Sequence, residues 1–361
     1  MNLAGFDLYR YGLPLRRPPA LEGTTLHRRE GLLVRLSGDD GSEGWGESAP
    51  LPGFSEESLD EAAEQLRRLA GSLVGRDVAG DWVDGGSARE MDRSDPSVRF
   101  GLELAFWNLY ADHSGLDLPE LVSSSPSTTV PVNGLISSPM EALEEARRMS
   151  DAGYESVKLK VGTRPVAEDL RLVRELGEEL GNISLRLDAN RAWSYEEAAE
   201  FVRGAPRFEY LEEPLADPRR LPELVHEFGV PVALDESLVG MEPEDLEAHR
   251  YAQAVVLKPT LLGGIERTLR LAGGALDLGM TPVVSSAYES GVGTAALVAL
   301  AAGIGELPVP AGLDTYRALA EDVLDTPLAL PAPHLDVGQV IYASRRVAID
   351  NPERLQHLRE L

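Results

Sequence analysis

The stretch Ser156-Val-Lys-Leu-Lys-Val-Gly162 alternates apolar and charged residues before it reaches a glycine. This pattern predicts a short buried strand that runs into a loop. Its two lysines, Lys158 and Lys160, are joined in the whole chain by only one other lysine, Lys258, although arginine is abundant. An ammonium group gives up a proton far more readily than a guanidinium does, so these lysines are candidates for proton transfer. The alternative is that a lysine-poor composition left three of them by chance.

The same strand belongs to a unit that repeats from about residue 130: an apolar strand, a polar residue at its end and an amphipathic helical stretch. The predicted strands start at Val130, Ser156, Ser184, Phe208, Pro231, Ala254, Thr281 and Leu307. Eight strands that alternate with helices at this spacing predict a (β/α)8-type barrel. An open doubly wound sheet is the alternative, but no Gly-x-Gly-x-x-Gly segment follows a first strand.

The residues before the barrel follow a different pattern. Leu3 to Tyr11, Gly31 to Leu36 and Gly44 to Glu47 predict an antiparallel sheet, and Ser58-Leu-Asp-Glu61 predicts a capping box at the start of a helix. We therefore expect an α+β domain over residues 1–115, a barrel with the active site over 116–316 and a C-terminal segment over 317–361. That segment is expected to contain a strand from Val337 to Ala343 and to pack back on the N-terminal domain.

Carboxylates end three successive predicted barrel strands, at Asp188, Glu212 and Asp235. Barrel enzymes place their chemistry at this end of the strands, and three such charges close together are unfavourable unless a cation neutralises them. Oxygen ligands with room for water and substrate suit Mg²⁺, or Mn²⁺ in its place. Each acid alone would predict a strand-end salt bridge, but the three together predict a metal site. Glu212 and Glu213 face opposite sides, as do Asp235 and Glu236, so one acid of each pair is expected to have a supporting role.

The composition excludes several classes of function. The chain has 60 acidic and 34 basic residues and a formal net charge of -26, so nucleic acids and anionic membranes are not expected partners. It has no cysteine, which excludes disulfides and thiolate chemistry. No long apolar stretch and no signal-peptide pattern occurs, so we expect a cytoplasmic protein. The acidity suits a high-salt habitat, and the composition leaves the oligomeric state open.

The predicted lysines and carboxylates together suit one kind of chemistry. A lysine that faces a divalent cation can remove the weakly acidic proton next to a carboxylate, while the cation stabilises the resulting enediolate. None of the six histidines falls at a predicted strand end, so no imidazole competes for the role of base. A small-molecule carboxylate is therefore the expected substrate.

The chain resembles the enolase superfamily, in particular its lysine-lysine branch, in five motifs: Lys158-x-Lys160, Asp188-Ala-Asn190, Glu212-Glu-Pro214, Asp235-Glu-Ser237 and Lys258-Pro. That branch contains muconate cycloisomerases, dipeptide epimerases, N-succinylamino acid racemases and o-succinylbenzoate synthases. The resemblance spans nearly the whole chain and implies a (β/α)7β modified TIM barrel with an N-terminal α+β capping domain. It also implies that the three carboxylates bind Mg²⁺ and that Lys160 and Lys258 are the catalytic residues.

Within the branch, two segments most resemble the o-succinylbenzoate synthases: Ser285-Ser-Ala-Tyr-Glu-Ser-Gly-Val-Gly293 and Gly312-Leu-Asp-Thr315. The resemblance implies a carbon-oxygen lyase that dehydrates 2-succinyl-6-hydroxy-2,4-cyclohexadiene-1-carboxylate through an enediolate, in menaquinone biosynthesis. Lys160 would take the α proton and Lys258 would stabilise the anionic intermediate. Two alternatives remain open. One is an N-succinylamino acid racemase or dipeptide epimerase, which begins with the same proton abstraction, and the other is a carboxylate-binding barrel without catalysis.

A further set of residues is expected to contact the substrate: Lys158, Arg186, Asn190, Ser285, Ser286, Ser290 and Gly291. Ser290 begins a predicted helix whose free N–H groups would bind a substrate carboxylate, with an ordinary N-cap as the alternative. Arg186 lies two residues before Asp188 and should face inward, with a salt bridge to a neighbouring acid as the alternative. The loops from Leu13 to Ala20 and from Ser48 to Phe54 are candidates to close over the site.

Overall fold

The N-terminal part of the chain is an antiparallel sheet. In the computed structural model, which describes residues 1–21, 24–78, 91, 93–351 and 354–358, strand β1 (Leu3–Pro14) is followed by a small hairpin of β2 (Ala20–Leu21) and β3 (Thr24–Thr25). Strand β4 (Arg28–Gly38) pairs with both β1 and β5 (Glu43–Ser48). The three strands predicted for this region are confirmed.

Helices cover one face of this sheet. Helix α1 (Leu59–Leu73) begins at Ser58, whose side chain forms the predicted capping box with Glu61. Helix α2 (Pro96–Ser114) buries Val98, Leu102 and Ala105 in a core shared with β1, β4 and α1. Helix α3 (Leu118–Val122) then leads into the barrel.

Strand β5 lies very close to α2, because Gly46 carries no side chain. A Cβ atom at this position would lie 1.9 Å from the carbonyl oxygen of Gly101 and 2.7 Å from the amide nitrogen of Ala105. We expect Gly46→Ala to lower the free energy of unfolding by about 3 kcal/mol, because backbone atoms would have to move apart.

Urea denaturation measures this change. Gly71→Ala is the control, because Gly71 lies on the exposed side of α1 with open space around its Cβ position. That variant should gain about 0.5–1 kcal/mol from the better helix propensity of alanine. Equal stabilities of the two variants would contradict the assignment of Gly46 to a close backbone contact.

Seven parallel strands form the barrel sheet. Strand β6 (Thr129–Pro131) precedes them and lies outside this sheet. The seven are β7 (Gly134–Ile136), β8 (Ser156–Lys160), β9 (Ser184–Asp188), β10 (Leu211–Glu212), β11 (Val232–Leu234), β12 (Ala254–Leu257) and β13 (Thr281–Val284). Neighbours in the chain are neighbours in the sheet, from β7 at one edge to β13 at the other.

A short extended segment at residues 311–312 closes the barrel. Ala311 bridges Val132 on one side and Gly312 bridges Ser285 on the other, both in parallel orientation. The predicted starts of the first and eighth strands, Val130 and Leu307, are therefore wrong by several residues, and the fourth strand begins at Leu211 instead of the predicted Phe208. An apolar run marks where an extended stretch begins, but the backbone partner decides which of its residues enter the sheet.

Helices follow the barrel strands in turn: α4 (Ala142–Ala152), α5 (Val166–Leu180), α6 (Tyr195–Gly204), α7 (Leu221–Phe228), α8 (Pro259–Leu262), α9 (Ile265–Asp277) and α10 (Gly291–Gly303). The connection after β11 contains a 3₁₀ helix, Pro243–His249, instead of an α-helix. Residues 311–312 are followed by a 3₁₀ helix, Asp314–Ala318, instead of an α-helix. The architecture is thus a (β/α)7β modified TIM barrel behind an N-terminal α+β domain, as predicted.

The C-terminal segment corrects one prediction. Strand β14 (His334–Asp336) pairs with β6, and β15 (Leu355–His357) pairs with β1. Between them, Val337 to Ser344 form helix α11 instead of the expected strand. Asp336 caps this helix by accepting a hydrogen bond from the Gln339 amide at 2.8 Å. Its buried residues Val337, Val340 and Ile341 follow helical spacing, which outweighs the β propensity of branched side chains.

Helix α10 carries apolar residues around its whole circumference, and neighbouring elements bury it on all sides. Its residues from Gly291 to Ala302 are buried, and the helix contacts α3, α11 and β13. Across the described ranges, the structure contains no helix with the length and apolar character needed to span a bilayer.

Candidate active site

A cavity with an empty volume of about 660 Å³, counted to its open mouth, lies at the carboxyl ends of the barrel strands. All three lysines of the chain line it, and Leu51 and Phe54 reach it from the N-terminal domain. The loop from Ser48 to Phe54 is expected from the sequence to close over the site, and two residues in the second half of this loop line the cavity.

Three buried carboxylates lie side by side at the ends of neighbouring barrel strands, and one of them, Asp188, lines this cavity. Asp188 and Glu212 end neighbouring strands β9 and β10 and are direct partners in the sheet register. Asp235 comes directly after β11, the next strand. Their exposed fractions are only 2%, 1% and 4%. Parallel strands in register therefore bring together the three acids that the sequence singled out.

Two of the lysines contact these acids. Lys158 Nζ lies 2.8 Å from Asp188 Oδ2 and 2.7 Å from Glu212 Oε1, and Lys258 Nζ donates to Asp235. Burial alone would lower the pKa of Lys158, but the carboxylates of Asp188 and Glu212 raise it well above its ordinary value. Burial, reinforced by the neighbouring Asp188, raises the pKa of Glu212 well above its ordinary value. Among the described residues, the three acids thus share only two ammonium groups, those of Lys158 and Lys258.

The lysines approach the cavity from opposite walls. Lys158 and Lys160 are two residues apart on β8 and so share one strand face. Lys258 follows β12. Three strands, β9, β10 and β11, lie between β8 and β12 in the sheet. A flat molecule in the cavity would therefore have Lys160 on one side and Lys258 on the other.

The oxygen donors of Asp188, Glu212 and Asp235 suit a hard divalent cation. Asp188 lines the open cavity, which leaves room for water and substrate oxygens, and Mg²⁺ retains such ligands in proteins. Within the described ranges no three acidic or imidazole side chains already form a metal-ready cluster, and Lys158 and Lys258 contact the carboxylate oxygens. Lys158 and Lys258 both line the open cavity.

Glu213 and Glu236 occupy supporting positions, as strand alternation predicts. Glu213 accepts hydrogen bonds from the amides of Asp235 at 3.0 Å and Ser237 at 2.8 Å. It therefore holds the turn that presents Asp235. Glu236 accepts a bond from Asn190 Nδ2 at 3.1 Å, and burial together with the charge of Asp235 raises its pKa to about 7.

Four of the residues expected to contact substrate line the cavity, namely Lys158, Asn190, Ser285 and Ser286. Arg186 does not. Its guanidinium forms a salt bridge with Glu209 at 2.9 Å and donates to the carbonyl of Pro310 at 2.6 Å. The prediction of substrate contact by Arg186 is wrong, and its alternative, a pair with a neighbouring acid, is what the structure shows.

The start of helix α10 is also not free to bind substrate. The Ser290 amide donates to Glu47 Oε1 at 2.8 Å, and the Gly291 amide donates to Asp322 Oδ1 at 2.8 Å. Both acids belong to other parts of the chain, and they accept hydrogen bonds from the N–H groups at the N-terminal start of the helix. Ser290 and Gly291 are therefore structural, and their proposed role as substrate ligands is wrong.

Several cavity residues were not singled out from the sequence. They are Asn133, Leu135, Ala287, Tyr288, Asp314 and Thr315. Ala287 and Tyr288 lie in the quoted segment Ser285 to Gly293, and Asp314 and Thr315 lie in Gly312 to Thr315. Backbone strain marks another part of the site: among the described residues, the non-glycine positive φ angles fall at Asn190, Arg191, Glu213 and Tyr288, all after barrel strands. Such strain is typical of functional sites.

Two family models match the chain. Residues 141–340 match the model described as enolase C-terminal domain-like, and residues 4–109 match the MenC N-terminal domain. The o-succinylbenzoate synthase of Edwardsiella ictaluri is 35% identical over 322 residues, which cover 88% of this chain and 92% of that protein. The o-succinylbenzoate synthase of Haemophilus influenzae is 34% identical over 325 residues, with coverage of 88% and 92%.

Solved structures share the fold. The substrate-liganded L-Ala-D/L-Glu epimerase of Bacillus subtilis superimposes with a TM-score of 0.83 at 24% identity, over 92% of this chain and 96% of the epimerase. A muconate lactonizing enzyme of Pseudomonas fluorescens, complexed with muconolactone, gives a TM-score of 0.81 at 26% identity and 93% coverage of both chains.

Proposed function

Because the chain belongs to the enolase superfamily and, within it, to the o-succinylbenzoate synthase family, we propose that it dehydrates 2-succinyl-6-hydroxy-2,4-cyclohexadiene-1-carboxylate to o-succinylbenzoate. The enzyme is then a carbon-oxygen lyase of menaquinone biosynthesis. The placement of Lys160 and Lys258 on opposite walls of one cavity, beside three buried carboxylates, supports the proton abstraction. The observation that carries the choice of a dehydratase is the 34–35% identity to o-succinylbenzoate synthases.

Lys160 is the proposed base. Its amine takes the proton from the ring carbon that bears the carboxylate, which leaves an enediolate anion on the substrate. The same ammonium group then returns the proton to the departing 6-hydroxyl group on the same face, so that water leaves and the ring becomes aromatic. Lys258 lies over the other face and stabilises the flat anion by its positive charge. Proton and hydroxide thus leave from one side, as a syn elimination requires.

Asp188, Glu212 and Asp235 are the proposed ligands of Mg²⁺, with Mn²⁺ as a substitute. The bound cation would neutralise the negative charge that develops on the substrate carboxylate. With a cation on these acids, Lys158 would be released from its contacts with Asp188 and Glu212. It could then bind the substrate carboxylate together with Asn190, Ser285 and Ser286, which line the same cavity.

The same lysine pair also suits a racemase or epimerase, which needs a base on each face of its substrate. The epimerase structure is under 25% identical to this chain and shows the fold alone. The dehydratase relatives are 34–35% identical over 92% of their length. The identity to these relatives favours the dehydratase.

Ultraviolet spectroscopy tests the reaction class. The diene absorbance should fall only when the enzyme and Mg²⁺ are both present, because proton abstraction needs the charged intermediate to be stabilised. In parallel, N-succinyl amino acids in D₂O should exchange their α proton slowly or not at all. Exchange and racemisation that run far faster than the absorbance change would identify a racemase and reject the dehydratase.

A further inference from the structure

The loop that follows barrel strand β13, residues 285–290, forms one wall of the cavity and is held from the N-terminal domain as well as from the barrel. Ser285, Ser286, Ala287 and Tyr288 all line the cavity. The opposing cap loop, residues 49–54, contributes Leu51 and Phe54. The two loops belong to different domains, so their relative position depends on whatever joins them.

Arg29 joins these two loops. It lies on β4 of the N-terminal sheet, and only 1% of it is exposed. Its guanidinium donates to the carbonyl of Tyr288 at 3.1 Å and to that of Ala287 at 3.3 Å. It also donates to the carbonyl of Pro50 at 2.8 Å and to that of Ala49. One buried side chain therefore fixes the backbone of both loops.

Glu47 holds the other end of the barrel loop. It is fully buried on β5 and accepts hydrogen bonds from the Ser290 amide at 2.8 Å, the Ser290 hydroxyl at 2.5 Å and the Gly293 amide at 2.8 Å. Tyr11 also donates to it. The cationic residue thus binds carbonyls and the anionic residue binds amides, so each charge meets the backbone dipole of opposite sign.

We propose that Arg29, supported by Glu47, is a positioning residue that holds the cap loop 49–54 and the barrel loop 285–290 together as one wall over the substrate. The backbone it holds includes Tyr288, whose φ of 64° is unfavourable for a tyrosine and must be imposed by its surroundings. Without the guanidinium, the loops would have to be ordered by the substrate itself, at the expense of substrate affinity. Arg29 touches no reacting atom, so its loss should weaken binding more than chemistry.

The test compares Arg29→Ala and Arg29→Lys with wild type by steady-state kinetics on the diene, and this kinetic arm rests on the proposed function. For Arg29→Ala we expect KM to rise about 10-fold or more with kcat within about threefold of wild type, the pattern of lost ground-state binding. Arg29→Lys should lie between the two, and added guanidinium should restore part of the KM of Arg29→Ala. Arg35→Ala is the control, because Arg35 lies on the same strand but pairs with Asp7 at 2.7 Å, away from the cavity.

Hydrogen exchange gives a readout that needs no turnover. Amides in both segments, 49–54 and 285–290, should exchange faster in Arg29→Ala than in wild type or Arg35→Ala. If wild type fails to convert the diene while both segments still respond together, the proposed function is wrong and the positioning role stands. An unchanged KM in Arg29→Ala would overturn the positioning role. A lower kcat with unchanged KM would also overturn it, because that result means only that less of the enzyme is folded. So would exchange that stays at the wild-type rate in either segment. If Arg29→Ala does not fold, the same criteria apply to Arg29→Lys.

Discussion

Lys160→Ala is expected to fold and to bind Mg²⁺ like the wild type but to lose turnover by about 10³- to 10⁴-fold, the effect of removing a general acid-base group. Within the described ranges, Lys158 and Lys258 are engaged with Asp188, Glu212 and Asp235, whereas the structure records no ion pair for Lys160. Lys160 lines the cavity, so its amine is available to the substrate. Stopped-flow or steady-state absorbance measurements of diene consumption give the rate.

Lys160→Arg separates proton transfer from charge. The arginine keeps the positive charge at the same wall, but a guanidinium does not release its proton near neutrality. We therefore expect Lys160→Arg to be about as inactive as Lys160→Ala. Recovery of activity in Lys160→Arg would mean that Lys160 acts by charge alone, and wild-type activity of Lys160→Ala would reject the mechanism.

The other two lysines should behave differently from each other. Lys258→Ala should lose turnover by several orders of magnitude, because the anion on the far face of the ring would lose its cation. Lys158→Ala should lose less, since Lys158 binds substrate and carboxylates without transferring a proton. A Lys158→Ala loss as large as that of Lys160→Ala would contradict this division of roles.

Asp188→Asn and Asp235→Asn are expected to weaken Mg²⁺ binding by at least about 100-fold, which exceeds the usual loss when only an outer hydrogen-bond partner of a metal ligand is removed. Each substitution replaces a charged oxygen donor that shares one wall with the other two acids. Isothermal titration calorimetry with Mg²⁺ and with Mn²⁺ measures the affinity directly.

Asp217→Asn is the matched control for the metal measurement. Asp217 belongs to the same barrel but forms an exposed salt bridge with Arg219 at 2.8 Å, so its variant should bind the cation as wild type does. Chelation of the metal should abolish diene consumption in wild type, and added Mg²⁺ should restore it. Unchanged affinity in both Asp188→Asn and Asp235→Asn would remove these residues from the metal site.

Most of the fold could be predicted because its signals are local. The alternation of apolar and charged residues in strand β8 is visible within five residues, and the capping box from Ser58 to Glu61 spans four residues. Repetition of such units at nearly constant spacing leaves few architectures other than a barrel. The errors fell at Val130, Phe208 and Leu307 and at Val337 to Ala343, where an apolar run was compatible with more than one partner.

The sequence by itself determined which side chains share the active end of the barrel, because parallel strands carry their last residues to one edge whatever else surrounds them. Asp188, Glu212, Asp235 and the lysines could be found in this way. Only the tertiary structure decided that the start of helix α10 is closed by Glu47, a residue 243 positions away, and by Asp322. It likewise decided that Arg186 meets Glu209 and that Arg29 joins two loops. A buried N–H or guanidinium must find a partner, and the identity of a distant partner depends on three-dimensional packing that no local pattern of residues records.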